Sequence, residues 1–512
     1  MSKSLVAFDT DRIKEYVFAT GKLQEIRGAS AVLDRLNRAE MPQLVGATAD
    51  GLIYANGGAG LFVVESDEAE DAIRRVQQAY RRATHTASIT GVSAPLPDPD
   101  GSDVSSELEL VRHRLRMAKD GRTAPILPLT HPLLRFCDAC GTRYAETTDD
   151  GERICISCLT KRQESDQVKA DIERWVSGQA QPDPASLYLW ERLIARLVEV
   201  GYPVAGGGRP RDFETLGRQS SPKNYMGLIY ADGDGMGREI EQIKSLTEMS
   251  RFANAVDGAV YEAVTEAIST YLQPGGSNVW PFDILLLGGD DLVMVTRAQS
   301  AIDVARHVVE RFSEITQNAW GKRLNLSASV VLTHVNYPIG ALLGLAESGL
   351  KFAKKGAAKR HQAGETLDGG MLNFLVVSSA NHLDFDDYYK QELKLEEDAG
   401  RTVLYRTQRP YTAPEMAALL TQVRDVRDKV PHTKLEQLRA AIFQSRKQGT
   451  IDAMMAVLRL RDDKQRRALL EIVSTDPREQ IYLPWVKQDA DWATPVLDIV
   501  ELLDFCGKEE VP

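Results

Sequence analysis

One order of elements runs through this chain twice, and that repetition limits what it can fold into more than any other feature. The first copy opens with an apolar strand over residues 4–8 that ends in Asp9-Thr10-Asp11, and helix-compatible segments follow over 12–18 and 31–39. Strands over 51–55 and 61–64 then flank Asn56-Gly57-Gly58-Ala59-Gly60. A helix over 69–83 places Ala69, Ala72, Ile73, Val76, Ala79 and Tyr80 at helical spacing. The second copy has a strand over 226–231, helices reaching Leu272, a hairpin around Gly288-Gly289, a helix over 301–319, a strand over 324–332 and a helix over 339–355. Strand, helix, hairpin, helix, strand is the order of a ferredoxin-like palm. The expectation is an α+β chain with two palm domains related by internal duplication, although few side chains are common to both.

The second hairpin carries the chemistry. Phe282-Asp-Ile-Leu-Leu-Leu287 and Leu292-Val-Met-Val295 are short enough to be buried strands, and Gly288-Gly289-Asp290-Asp291 joins them. The glycines supply the freedom of a tight connection, which then holds two adjacent carboxylates at the sheet's edge. Such carboxylates repel each other, so water or a cation must neutralise them. Upstream, the strand 226–231 ends in Asp232-Gly233-Asp234-Gly235-Met236-Gly237 ahead of a helix. Side by side in one sheet, the two strand ends would bring Asp232, Asp234, Asp290 and Asp291 onto one or two hard cations, Mg2+ or Mn2+, completed by waters and substrate phosphates. That is the two-metal clamp of phosphoryl and nucleotidyl transfer. Gly233, Gly235, Gly288 and Gly289 would let backbone approach a phosphate, and the helix start favours an anion. An ordinary solvated turn is the simpler alternative for Gly-Gly-Asp-Asp by itself, because Gly and Asp dominate turns. In the first copy Gly57-Gly58-Ala59-Gly60 stands at this place without acids. That copy is expected to keep the fold without the metal, with Asp9 and Asp11 solvated or capping.

Between the copies, Cys137-Asp-Ala-Cys140 and Cys155-Ile-Ser-Cys158 are separated by 14 residues. Each pair offers two thiolates to one tetrahedral Zn2+, and a closed four-cysteine site is structural rather than catalytic. Two disulfides are the alternative, which a reducing compartment disfavours; Cys506 is left as a plain thiol. The helix 342–355 carries Glu347, Lys351, Lys354 and Lys355. Lys351 and Lys354 stand one turn apart and could face a triphosphate together. The alternative is a solvated helix end whose dipole favours cations.

A chain of 512 residues should form roughly three or four domains. The boundaries read as a first palm over 1–120, a zinc-finger and helical linker over 121–222, a second palm over 223–385 and a helical domain over 386–512. Residues 161–222 read as polar or irregular apart from a helix over 184–200, with a flexible loop at 206–210. A strand over 373–378 is followed by helices over 414–428, 434–447, 451–460 and 464–474. With 43% hydrophobic and 26% charged residues the chain can bury a sizeable core. A net charge of −11 excludes a surface coated in nucleic acid on every side but not a local basic groove. The start shows no signal peptide, and no apolar run nears the ~20 residues of a membrane helix, so a cytoplasmic protein without membrane contact is expected.

A degenerate palm, a four-cysteine finger, a second palm with Gly-Gly-Asp-Asp and a helical C-terminal region, in that order, resemble the large polymerase-cyclase subunit of type III CRISPR effector complexes. The local wording is similar too, in Ile26-Arg-Gly-Ala-Ser30, Tyr230-Ala-Asp-Gly-Asp-Gly-Met-Gly237 and Leu287-Gly-Gly-Asp-Asp-Leu292. The likeness runs over nearly the whole chain. Ala346-Glu347 to Ala353-Lys354 is similar to the Ala-Asp…Ala-Lys helix of diguanylate cyclases, with Glu in place of Asp.

The resemblance implies synthesis of cyclic oligoadenylate from ATP, a 3′-hydroxyl attacking an α-phosphate at a site with two metal ions. It implies Asp232, Asp290 and Asp291 as catalytic ligands with Asp234 beside them, Gly288 and Gly289 as the turn that admits the phosphates, and Lys351 and Lys354 as triphosphate holders. It also implies guide and target RNA and other effector subunits as partners. The chain is short for that family and has no His-Asp dipeptide, so no DNA cleavage is expected, and a standalone form, as a homodimer, is a second arrangement. Two other readings share these residues: a dinucleotide or other cyclic nucleotide synthase of the same palm class, and a scaffold without activity. The intact acids argue against the scaffold.

Overall fold

The computed structural model describes residues 2–98, 101, 103–121, 133–276, 278–377, 384–397, 400–472, 481–482, 484–488 and 490–506. Strands β1 (Lys3–Asp11), β2 (Leu52–Asn56), β3 (Ala59–Glu65) and β4 (Ser88–Leu96) form an antiparallel sheet in the order β2-β3-β1-β4. This is the ferredoxin-like order that the succession of elements predicts. The helix expected over 31–39 already begins at Leu23, runs to Asp34, and continues through a wider turn at Arg35–Glu40 into Met41–Val45.

A short hairpin, β5 (Thr147–Asp149) and β6 (Glu152–Ile154), leads into the helix Ile156–Val176. The sequence reading of 161–222 as largely irregular is corrected here, because this helix buries polar residues. Lys161, Arg162 and Ser165 are all buried, so hydrophobic periodicity gives no sign of it. Lys161 Nζ donates to the Tyr16 carbonyl at 2.6 Å, and Arg162 pairs with Glu25, Asp149 and Glu152. The helix Leu23–Asp34 crosses it so closely that a Cβ added to Gly28 would stand 1.6 Å from the Lys161 carbonyl oxygen. The loop 206–210 is docked rather than free: Arg209 pairs with Asp283 at 2.7 Å, and the Trp280 backbone N–H donates to the Gly208 carbonyl at 2.8 Å.

Strands β7 (Tyr225–Asp234), β8 (Phe282–Gly288), β9 (Asp291–Arg297) and β10 (Asn325–His334) repeat the first sheet's order as β8-β9-β7-β10, and β11 (Met371–Val376) adds in parallel to β10. Phe282, Leu285 and Val293 are fully buried, as are Met294 and Val295, so the hairpin is covered on both faces. Its apolar runs are continuous for that reason rather than alternating. The helices Leu246–Tyr271 and Ala301–Trp320 pack on each other, and Ile339–Gln362 runs well past the expected end at Lys355.

The C-terminal helices Ala413–Lys429 and Asp463–Glu471 lie where the pattern puts them, whereas His432–Ile442 ends before the expected 447 and Arg446–Leu458 begins before the expected 451; Val496–Leu502 joins them. The ends of two expected elements, Ser378 and Ser474, lie outside the described residues. A small sheet accompanies the helices, formed by β12 (Lys394–Glu397) and β13 (Thr402–Tyr405) with β15 (Ile481–Tyr482), β16 (Trp485–Gln488) and β17 (Asp491–Ala493), while β14 (Tyr411–Thr412) extends the second palm's sheet beyond β11. Strands of two to four residues are too short to display alternation, which is why the sequence reads as helical alone. No helix among the described residues is long and apolar enough to cross a membrane.

Candidate active site

The acids meet where β7 ends beside the β8–β9 turn. Register pairs Ala231 with Leu292 on one side of β7 and Asp232 with Ser327 on the other. Gly288 pairs with Asp291, so Gly289 and Asp290 form a two-residue turn. Gly289 takes φ 62 and Asp290 does not take a positive φ, the signature of a type II′ hairpin turn with glycine at its first position. Gly233 leaves room for the acids: a Cβ there would stand 2.5 Å from Asp290 Oδ2. Burial, and then the Asp232 charge, push the Asp290 carboxyl up to about 6. Burial and the charges of Asp232 and Asp290 push Asp291 up to about 7. Burial also raises Asp234, whose Oδ2 accepts from Ser327 at 2.6 Å and whose Oδ1 is buried without a partner.

Two lysines answer this negative charge, and only one of them is the one expected. Lys354 pairs with Asp232 and donates to the Gly233 carbonyl at 2.7 Å. Lys351 instead points into solvent and pairs with Glu347 at 3.0 Å, while Lys355 reaches Asp386 at 3.0 Å. The helix therefore brings one ammonium to the acids rather than two. The second cation comes from the first palm: Lys14 lies 4.7 Å from the Tyr230 ring centre, and its charge acts on Asp291 against the burial. The acids offer oxygen ligands, the site carries more negative charge than Lys354 balances, and one Asp234 oxygen has no partner. These features fit a hard divalent cation. Gly235 caps the short helix Met236–Gln242 with φ 71.

The two palms touch at their hairpin tips. Pairing of Asn56 with Ala59 sets Gly57 and Gly58 opposite the positions of Gly289 and Asp290, one residue offset from the alignment read from sequence. Both glycines have positive φ, 59 and 80, so the first tip is a type I′ turn. A Cβ on Gly57 would stand 3.1 Å from Gly289 Cα, and one on Gly288 would stand 3.2 Å from Gly57 Cα. The glycines at this tip thus serve a backbone contact between palms. Asp9 pairs with Lys119, and Asp11 accepts from Ser88 and Thr90.

Sequence reasoning missed the groups that hold this junction together. Arg38 of the first palm grips Asp257 with two hydrogen bonds, at 2.6 and 3.0 Å, and Asp257 Oδ1 accepts the Gly289 N–H at 3.0 Å. Arg27, inside the Ile26–Ser30 motif, closes on the fully buried Asp283 of β8 with a 2.6 Å Nε hydrogen bond. The available signal was a lone acid in each of two apolar runs, since a buried carboxylate needs a partner.

Away from this site, the sulfur atoms of Cys137, Cys140, Cys155 and Cys158 lie within 4.8 Å of one another, and among the described residues these four are the group that converges so tightly. No cysteine is in a disulfide. Cys155 follows β6 and Cys158 lies in the first turn of Ile156–Val176, so the cluster is anchored to the helix that packs on the first palm.

Residues 225–363 match the model of the Cas10/Cmr2 family's second palm domain. No curated protein matches this chain. Among solved structures, the Csm1-Csm4 cassette in complex with cA3 aligns with a TM-score of 0.55 and 13% identity, over 99% of this chain and 70% of that one. The same cassette in complex with pppApApA gives 0.53 and 13%, over 92% and 70%. Against the cassette in complex with AMPPNP the TM-score is 0.45 at 14% identity, over 69% of this chain and 53% of that one, so the chain spans about half of that relative's length. At such identities the likeness is one of fold. The chain therefore carries a second palm domain of the Cas10/Cmr2 family, formed by residues 225–363, within a fold similar to that of Csm1.

Proposed function

We propose that this protein is a metal-dependent nucleotidyltransferase that joins ATP into cyclic oligoadenylate as part of a type III CRISPR effector. The observation that carries the reading is the set Asp232, Asp290 and Asp291, gathered at one strand end and turn of a Cas10/Cmr2-type palm and left short of positive charge by the fold itself. The Csm1-Csm4 relatives with cA3 and with pppApApA support the choice of adenylate.

In this reading Asp232, Asp290 and Asp291 hold Mg2+ or Mn2+, with Asp234 alongside, and the ions supply Lewis-acid charge at the phosphates. Lys354 and Lys14 approach the acids from opposite palms and hold the triphosphate between them. Lys351 joins them only by leaving Glu347. The substrate's 3′-oxygen forms a bond to the α-phosphorus of a second ATP, the bond from that phosphorus to pyrophosphate breaks, and the hydroxyl proton leaves to solvent. The four-cysteine cluster holds a structural Zn2+ and ties the first palm to its helix. A Csm4-like subunit and guide and target RNA are the partners that regulate the reaction.

The test is incubation of the purified protein with each labelled NTP and Mg2+ or Mn2+, beside the Asp290→Ala/Asp291→Ala variant, with products separated by mass. A cyclic adenylate from the wild type and none from the variant is the expected result. A product from both proteins, or from neither once native partner subunits and RNA are supplied, would overturn the proposal.

A further inference from the structure

We infer that Arg38 and Asp257 are positioning residues for the Gly-Gly-Asp-Asp turn: Arg38 of the first palm fixes Asp257, and Asp257 fixes the turn through the Gly289 N–H. The inference rests on the nucleotidyltransferase reading and adds a role for the first palm within it.

Asp257 lies in the middle of the helix Leu246–Tyr271, between the apolar Val256 and Ala259 with Gly258, and its side chain is 10% exposed. A carboxylate in such a place must be paired. One of its oxygens does two jobs. Oδ1 accepts Arg38 Nη2 at 2.6 Å and the Gly289 N–H at 3.0 Å, while Oδ2 accepts Arg38 Nη1 at 3.0 Å. Arg38 is oriented in turn by Asp34, whose Oδ1 accepts Nε at 2.9 Å. A single connected path thus runs from the first palm's helix to the backbone of the residue next to Asp290.

The glycines of the hairpin tip carry no side chains, and what a Cβ on them would meet is Gly57 and Arg38, both of the first palm. A charge-assisted hydrogen bond to the turn's first N–H therefore sets where Asp290 and Asp291 sit relative to Asp232. Bidentate geometry makes Arg38 a stiff support, which a lysine could not reproduce. Displacement of a reacting group by about 1 Å can lower a rate by roughly a hundredfold. Docking of the first palm, which carries no acids at its own tip, becomes a requirement for acid geometry.

The experiment uses the full chain and reads Mn2+ binding from the loss of the free-ion electron paramagnetic resonance signal, together with kcat and KM for ATP and a thermal melt. Asp257→Ala should weaken Mn2+ binding roughly tenfold and lower kcat by at least as much with a smaller change in KM. Asp257→Asn keeps an oxygen for the Gly289 N–H but turns an amide NH2 toward one arm of Arg38, so it should lose Mn2+ affinity by less than Asp257→Ala does. The Arg38→Ala/Asp257→Ala pair should be no weaker than Asp257→Ala alone, because the two act in one path. A folded Asp257→Ala with wild-type Mn2+ affinity, or equal losses in the Ala and Asn variants, would overturn the inference. If Asp257→Ala does not fold, Arg38→Gln decides: it keeps Asp257 but loses the two-pronged grip, and unchanged Mn2+ affinity there would overturn the inference equally. Asp290→Ala separates the two claims. Mn2+ binding that Asp290→Ala abolishes and the Asp257 variants leave intact refutes the positioning role alone. Binding that Asp290→Ala leaves intact refutes the active-site reading and the positioning role with it.

Discussion

Asp291→Asn should make the metal-free protein more stable while removing its response to metal. The fold holds the Asp291 carboxyl at about 7 instead of its ordinary 3.8, because it is buried and faces Asp232 and Asp290. Each tenfold change in acidity corresponds to about 1.36 kcal/mol, so at pH 8 the ionised side chain costs the folded state at most about 4 kcal/mol. The side chain is only partly buried by area, and solvent screening reduces this to about 2 kcal/mol. The sign follows from linkage. A carboxyl raised in the folded state favours folding while protonated, so the stability is present below about pH 4 and is lost as the pH rises through 7. Asparagine keeps the shape and removes the charge. In EDTA at pH 8 the variant should melt about 4–8 °C above wild type, if the second palm unfolds as a unit of 150–250 residues. The gap should close toward pH 4.

Saturating Mn2+ should invert the order. An ion at a hundredfold excess over its Kd adds about 2.7 kcal/mol to a protein that binds it, and the variant lacks a ligand. Melting curves followed by tryptophan fluorescence at pH 8, 6 and 4.5, with EDTA or with Mn2+, test both halves. An Asp291→Asn variant that melts at or below the wild-type temperature in EDTA at pH 8 would refute the electrostatic argument.

Arg27→Ala leaves the fully buried Asp283 to Arg209, and breaking such a buried pair costs about 3–5 kcal/mol in chemical denaturation; a loss under about 1 kcal/mol would show that the pair holds nothing together. Cys155→Ser should abolish stoichiometric zinc measured by mass spectrometry and expose the helix Ile156–Val176 to limited proteolysis, and full retention of zinc would remove the four-cysteine assignment. Lys354→Ala should raise KM for ATP roughly tenfold, whereas Lys351→Ala, which loses only an exposed pair with Glu347, should change it less than about twofold. Equal effects from the two lysine variants would contradict the geometry of that helix.

How much of this was legible in the chain depends on how far apart the interacting residues are. The strands and the hairpin were readable because buried sheet strands need runs of Leu, Ile and Val, and the acids at their ends were visible as neighbours of those runs. The Cys-x-x-Cys spacing announced its cluster for the same reason, since each pair is local. The helix Ile156–Val176 escaped because the face it buries holds Lys161, Arg162 and Ser165, which resemble a solvated surface until Glu25 and Tyr16 are placed against them. One helical turn of separation puts Lys351 and Lys354 on one face without saying which neighbour each will choose, and here Lys351 pairs with Glu347.

What sequence alone determined was therefore the inventory: two palms, a cluster of four cysteines, and a second hairpin whose turn bears two carboxylates near a third. Only the tertiary structure decided what those carboxylates experience. Arg38 and Asp257 are 219 residues apart, and Arg27 and Asp283 are 256 apart. No local periodicity links residues at such separations. Their pairing arises when two palm surfaces dock, and a lone acid in an apolar run shows only that a partner exists. Burial at that docked junction raises Asp290 and Asp291, brings Lys14 over to them and seats the turn against Gly57. These are effects of distance and desolvation in three dimensions, which a chain specifies only once it has folded.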